Sequence, residues 1–125
     1  MKNAISWFEI PVDDIKRAHT FYEEIFDYEL QPLNVGDNFE MIMFPGEPDG
    51  VSGALIKSED WYQPSKTHGP LLYMNANPDL QKVLDRVVKA GGEISVQKQL
   101  INEENGYMAV IIDSEGNRIA LHSFD

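Results

Sequence analysis

Glu9 and His122 are the side chains of this chain best placed to do chemistry. Glu9 stands among apolar residues in the stretch WFEIP, and His122 in the stretch IALHSF. A carboxylate on an apolar strand is either a base or ligand-binding group, or half of a structural pair. In the structural case it would pair with Arg118 or be hydrogen-bonded at the cup wall. An unpartnered buried carboxylate would be costly and would raise its own pKa. An imidazole titrates near neutrality and suits an acid or base, although His122 stands close to the end of the sequence, where chains fray. Glu9 and His122 alone fall one short of the three protein ligands usual for catalytic zinc. The chain has no cysteine, which excludes thiolate nucleophiles, zinc–sulfur sites and disulfides. No serine nucleophile elbow, phosphate-cradling glycine loop or dinucleotide fingerprint is present.

The elements that must carry these residues follow from periodicity. Ala4 to Val12 alternates as a strand, with Phe8, Ile10 and Val12 on one face and Trp7, Glu9 and Pro11 on the other. Asp13 or Asp14 can cap a helix whose apolar stripe is Ile15, Ala18, Phe21, Tyr22 and Ile25. The apolar face of the strand belongs against that stripe, so Glu9 and Trp7 look the other way.

The pattern is then written a second time. Leu71 to Ala76 is strand-like, and Asn77-Pro78 fits a helix N-cap followed by proline at the first helical position. Leu80, Val83, Leu84, Val87 and Val88 make the second stripe, and Gly91-Gly92 ends it. Three strand candidates follow each helix: Tyr28–Leu33, Phe39–Phe44 and Val51–Lys57 after the first, and Glu93–Leu100, Tyr107–Asp113 and Arg118–Ser123 after the second. Pro48-Asp49-Gly50 and Ser114-Glu115-Gly116 lead into the last strand of each set, and Ala54-Leu55 and Ala120-Leu121 stand four residues beyond each glycine.

The expectation is one α+β domain of two tandem βαβββ modules. Module 1 runs over about 1–57, a linker over 58–70 and module 2 over about 71–125. One helix covers one face of each sheet, and the other face must meet a partner sheet or enclose a cavity. On that second face Tyr73 and Asn75 join Arg118 and His122; they can bind a small molecule or satisfy nearby backbone. Met41, Met43 and Met108 read as core filler, His19 as an exposed helix residue and His68 as a linker residue. Trp61-Tyr62 is either packed at the module junction or a dimer contact, or is a lid over a ligand.

Asp plus Glu outnumber Lys plus Arg by 21 to 10, a formal net charge of −11. That surface repels phosphate backbones and anionic lipid, so neither nucleic acid nor membrane is the expected partner. MKNAISWFEI lacks the apolar core of a secretory signal, and the expected location is cytoplasmic.

The order of elements, together with FEIPVDDIKRAHTFYEEIF and DSEGNRIAL, resembles the vicinal oxygen chelate superfamily, the glyoxalase, bleomycin-resistance and extradiol dioxygenase group. The WFEIP opening most resembles a branch related to lactoylglutathione lyase. The resemblance implies a concave sheet cup, and in metal-dependent members His or Glu ligands on the first and last strands of each module. Those positions correspond here to Trp7, Ala54, Leu71 or Leu72, and Ala120, none of which ligates a metal. The expectation is therefore a protein with no metal and no cofactor that binds a small organic molecule in a cup between the modules. Trp7, Glu9, Tyr73, Asn75, Arg118 and His122 would line it. A lyase or isomerase using Glu9 or His122, and an antibiotic-sequestering resistance protein, are the alternatives; whether it is an enzyme stays open. Exposed sheet edges, and the habit of related proteins of pairing modules across subunits, point to a homodimer.

Overall fold

A computed structural model describes residues 3–33, 40–58, 60 and 62–125. Ten elements follow one another: β1 (Trp7–Pro11), α1 (Ile15–Phe26), β2 (Gln31–Leu33), β3 (Glu40–Met43), β4 (Ser52–Lys57), β5 (Leu72–Asn75), α2 (Leu80–Ala90), β6 (Glu93–Asn102), β7 (Gly106–Ile112) and β8 (Arg118–Ser123). This is βαβββ repeated, an α+β fold. The strands form two separate four-stranded sheets, ordered β1-β4-β3-β2 and β5-β8-β7-β6. In each, the first strand pairs in parallel with the last, and the remaining pairs are antiparallel.

Strand alternation decides which face carries which side chains. Ile10 and Val12 are buried against Ala18, Phe21, Tyr22 and Ile25 of α1, and Phe8 packs on the same core. Phe8 needs a bare strand opposite it: its register partner is Gly53, where a Cβ would lie 2.5 Å from the Phe8 ring. In module 2, Met74, Ala109, Ile111, Ile119 and Leu121 take the equivalent places beneath Leu80, Leu84 and Val87 of α2. These residues form one continuous core, and among the described elements the two helices are the pair in contact between modules. Arg86 of α2 donates to the Ile25 carbonyl at the end of α1 (3.1 Å), satisfying an acceptor the helix leaves open. The opposite face of each sheet, here called the cup face, therefore points away from the shared helix layer.

The turn Asp113–Asn117 fastens module 2 to module 1 with buried polar groups. The Glu115 side chain, fully buried, accepts from the N–H groups of Asp13 and Asp14 at the start of α1 and from two nitrogens of Arg17. Asp113 accepts from the Tyr22 hydroxyl at 2.6 Å and from the N–H groups of Glu115 and Asn117. The Asn117 amide donates to the Pro11 carbonyl at 2.7 Å. Gly116 holds the turn with φ 89°, a conformation open to glycine at little cost. Burial alone would raise the Glu115 carboxyl, but the Arg17 bonds and the Asp14, Ser114 and Asp13 donors outweigh it and hold it below its ordinary value. Asp113 is pushed up, because burial outweighs the same kinds of donors there.

Several local expectations need correction. The N-cap of α2 is Asp79, which accepts from Gln81 N–H; Asn77 and Pro78 precede the helix, and the Asn77 side chain accepts from Phe124 N–H instead. The first module's cap is Asp14, accepting from Arg17 N–H. Strand β2 begins at Gln31, later than Tyr28, because Tyr28 turns its ring into the aromatic stack with Phe26 and Phe44. Strand β6 extends to Asn102, its register broken by bulges. The expected start of β3 at Phe39 lies outside the described residues. His19 is half-buried, with Nε2 3.0 Å from Glu23 Oε2 but not aligned for a hydrogen bond.

Candidate functional site: the cup faces

The cup face of module 1 carries Trp7, Glu9 and Pro11 on β1, Ser52, Ala54 and Ile56 on β4, and Met41 and Met43 on β3, since these residues oppose one another in register. Both oxygens of Glu9 are held by other side chains. Trp7 Nε1 donates to Oε2 at 3.2 Å, and the Tyr62 hydroxyl donates to Oε1 at 2.6 Å. The hydrogen bond to Glu9, then burial and the carboxylate's charge, raise the Tyr62 pKa, so the phenol stays protonated and a donor. Beneath it Met41, Ala54 and Ile56 are buried as a small apolar cluster, with Leu33 and Tyr62 packed against it. A hollow of about 670 Å³ lies at the Trp7 end of the face, bordered by Gln31, Met43, Pro45 and Ser52.

Of the two structural alternatives for Glu9, hydrogen bonding at the cup wall is the one present, and the pair with Arg118 does not form. Arg118 belongs to the other sheet, whose cup face points away from the helix layer on its own side, and its Nη2 donates weakly to the Gly69 carbonyl at 3.4 Å. On that second cup face Arg118, Ala120 and His122 of β8 stand with Tyr73 and Asn75 of β5. Tyr73 is 52 % exposed. Asn75 accepts from the Asn77 backbone and side chain. His122 Nε2 lies 2.6 Å from the Asn105 carbonyl, an oxygen that can only accept, so Nε2 carries the proton and Nδ1 of the neutral ring is left as the acceptor. The structure thus sorts the six site residues into two groups: Trp7 and Glu9 on one sheet, Tyr73, Asn75, Arg118 and His122 on the other.

Another groove, of about 760 Å³, lies where the modules meet and is lined by Phe8, Tyr28, Phe44, Leu72 and Met74. Ser52 of module 1 and Tyr73 and Asn75 of module 2 also line it, whereas Glu9 does not. Met43 and Met108 are half-buried on the cup faces, whereas Met41 is buried as expected. No spacing in the sequence signals Tyr62 as the partner of Glu9. Trp61 and Glu59 lie outside the described residues.

The residues at the four implied metal positions do not fit a metal. Ala54 opposes Glu9 and Ala120 opposes Tyr73 in register, while Trp7 opposes Ser52. Among the described residues no three His, Cys, Asp or Glu side chains gather as a ligand set. No helix of the described residues is long and apolar enough to cross a membrane.

Residues 4–121 match the family model of the Glyoxalase/Bleomycin resistance protein/Dioxygenase superfamily. The chain belongs to this superfamily. Among solved structures it is similar to a glyoxylase/bleomycin resistance protein/dioxygenase domain from Frankia sp. EAN1pec, with 19% identity, 98% of each chain covered and a TM-score of 0.70. A family enzyme from Burkholderia phytofirmans PsJN superposes with a TM-score of 0.69 at 16% identity, over 96% of this chain and 98% of that one. A mutant of glyoxalase I from Zea mays superposes with a TM-score of 0.72 at 22% identity, over 94% of this chain and 45% of that one. The chain thus spans under half the length of the maize glyoxalase chain. At these identities the likeness to glyoxalase structures is one of fold. No curated protein matches the chain.

Proposed function

We propose that this glyoxalase superfamily member binds a small organic molecule on the cup face, with Glu9 as the polar anchor and without a metal. The observation that carries this reading is the setting of Glu9: a carboxylate on an apolar strand face, with two side-chain donors aimed at it and a hollow beside Trp7. Apolar walls with a few convergent polar groups are the usual make-up of a small-molecule site. The side chains at the implied metal positions favour binding by hydrogen bonds and apolar contact over chelation.

The two halves of the cup would come from two chains. Glu9 and Trp7 stand on one sheet and Tyr73, Arg118 and His122 on the other, and among the described elements the helices are the pair in contact between the modules, which supports this division. In a homodimer the module 1 sheet of one copy would face the module 2 sheet of the other, and Arg118 of the second copy would then stand opposite Glu9. Exposed Ile5, Trp7 and Tyr73, on or beside the open edge strands β1 and β5, support that pairing. The excess of acidic residues supports a protein with no nucleic-acid or membrane partner, and the location proposed for it is cytoplasmic.

A second reading, an enzyme of lyase or isomerase type, is favoured by the His122 tautomer. Its Nδ1 is left as an acceptor and can take a proton from a bound substrate. Sequestration of an antibiotic would be the same binding without chemistry.

The test is native mass spectrometry and ligand titration of the protein and of Glu9→Gln. The variant keeps the fold and loses at least ten-fold in affinity for whatever copurifies. Unchanged binding, or about one divalent ion per chain retained through dialysis, would overturn the reading.

A further inference from the structure

Tyr62 comes from the linker, yet it lies on the floor of the module 1 cup. Its ring packs against Met41, Ala54 and Ile56, and its hydroxyl meets Glu9 Oε1 at 2.6 Å. Each side of this contact is specific. Ala54, the register partner of Glu9, leaves the space that a flat ring fills. The carboxylate takes the one polar atom the ring carries. Apart from Trp7 Nε1, which already donates to Glu9, the floor beneath that anchor is the apolar cluster of Met41, Ala54 and Ile56.

We infer that Tyr62 holds the place of the ligand, and that the ligand is an uncharged hydroxyaromatic compound whose hydroxyl replaces that of Tyr62 on Glu9. This rests on the cup reading above and narrows its ligand class. On this floor an anion would meet the Glu9 carboxylate, which the Arg118 proposed to face it from a second copy would at most offset, in a chain of net charge −11. A strongly polar ligand would leave donors and acceptors unpaired against Met41, Ala54 and Ile56. A phenol satisfies both surfaces, as Tyr62 already does. Exchanging one phenol for another conserves the hydrogen bond, so the competition is set by tethering. A side chain on a short linker acts at an effective concentration on the order of millimolar. The true ligand outcompetes it through added contacts in the hollow beside Trp7.

The experiment compares 4-methylphenol and toluene as probes of the wild-type protein, Tyr62→Ala, Glu9→Gln and the double variant, by calorimetric titration. Tyr62→Ala should bind 4-methylphenol at least ten-fold more tightly than wild type, and the double variant should lose that gain. Toluene, which lacks the hydroxyl, should bind Tyr62→Ala at least ten-fold more weakly. If Tyr62→Ala does not fold, restoration of its circular dichroism by 4-methylphenol but not by toluene supports the inference; failure to restore, or equal restoration by both, overturns it. Equal affinity of wild type and Tyr62→Ala, with binding still lost in Glu9→Gln, overturns the placeholder and leaves the cup reading standing. Binding indifferent to Glu9 removes both.

Discussion

Arg17 and Glu115 are 98 positions apart in the chain and meet through two hydrogen bonds, of 2.7 Å and 3.0 Å. The contact joins the first helix of module 1 to the last turn of module 2. Glu115 also takes the N–H groups that α1 leaves open at its start, so a residue of one module completes the helix cap of the other. Arg17→Ala should lower stability by about 1.5–3 kcal/mol, the range for charged hydrogen bonds. Glu115→Ala should cost more, since it also orphans the Asp13 and Asp14 N–H groups. Urea denaturation of the two variants checks both the size and the order.

The same carboxylate sets a pH dependence. Its folded pKa is below the ordinary 4.5, so the stability it contributes is complete above that value and is lost as pH falls through the lowered folded value. Wild type and Glu115→Gln should therefore differ most above pH 4.5 and converge below it. Asp113 has the opposite sign. Its folded pKa is raised by burial, so its ionisation costs stability as pH climbs past its ordinary 3.8, and its protonation returns some on acidification. Denaturation midpoints across an acid series should show the acid limb flattened in Glu115→Gln and steepened in Asp113→Asn.

Gly53 is required by the ring across from it. A side chain at that position has no room beside Phe8, whose ring and carbonyl both stand 2.5 Å from where a Cβ would sit. Gly53→Ala should cost about 1–3 kcal/mol, the usual range for overpacking. Gly53→Ala combined with Phe8→Ala should recover part of that loss, which a double-mutant cycle by thermal unfolding would measure.

The homodimer is testable at the open strand edges. Ile5 is 58 % exposed and Tyr73 52 % exposed. Sedimentation equilibrium at moderate salt should show a dimer for the wild type and a shift toward monomer for Ile5→Asp or Tyr73→Asp. A wild type that stays monomeric at high micromolar concentration would remove the two-chain cup.

The sequence by itself determined the repeated βαβββ order, the helix stripes and the face of every strand in the candidate site. Those properties are local: alternation puts Phe8 and Ile10 on one side of β1 and Trp7 and Glu9 on the other, and a one-residue slip would bury a charge beneath α1. The matching Ala54 and Ala120 were legible for the same reason, as equal distances from equal turns. The tertiary structure alone decided which surfaces meet. Tyr62 reaches Glu9 across 53 positions, and whether a linker ring lands on a cup floor depends on the path of the backbone, which no periodicity encodes. The stretch DSEGNRIAL was visible, but the role of its Asp113–Asn117 turn as the polar staple onto α1 was not, because hydrogen-bond partners a hundred residues away leave no spacing rule. The separation of Glu9 from Arg118 and His122 has the same origin. Two amphipathic helices with free apolar flanks bury surface by packing on each other, and that leaves Glu9 and His122 on the helix-free faces of two different sheets.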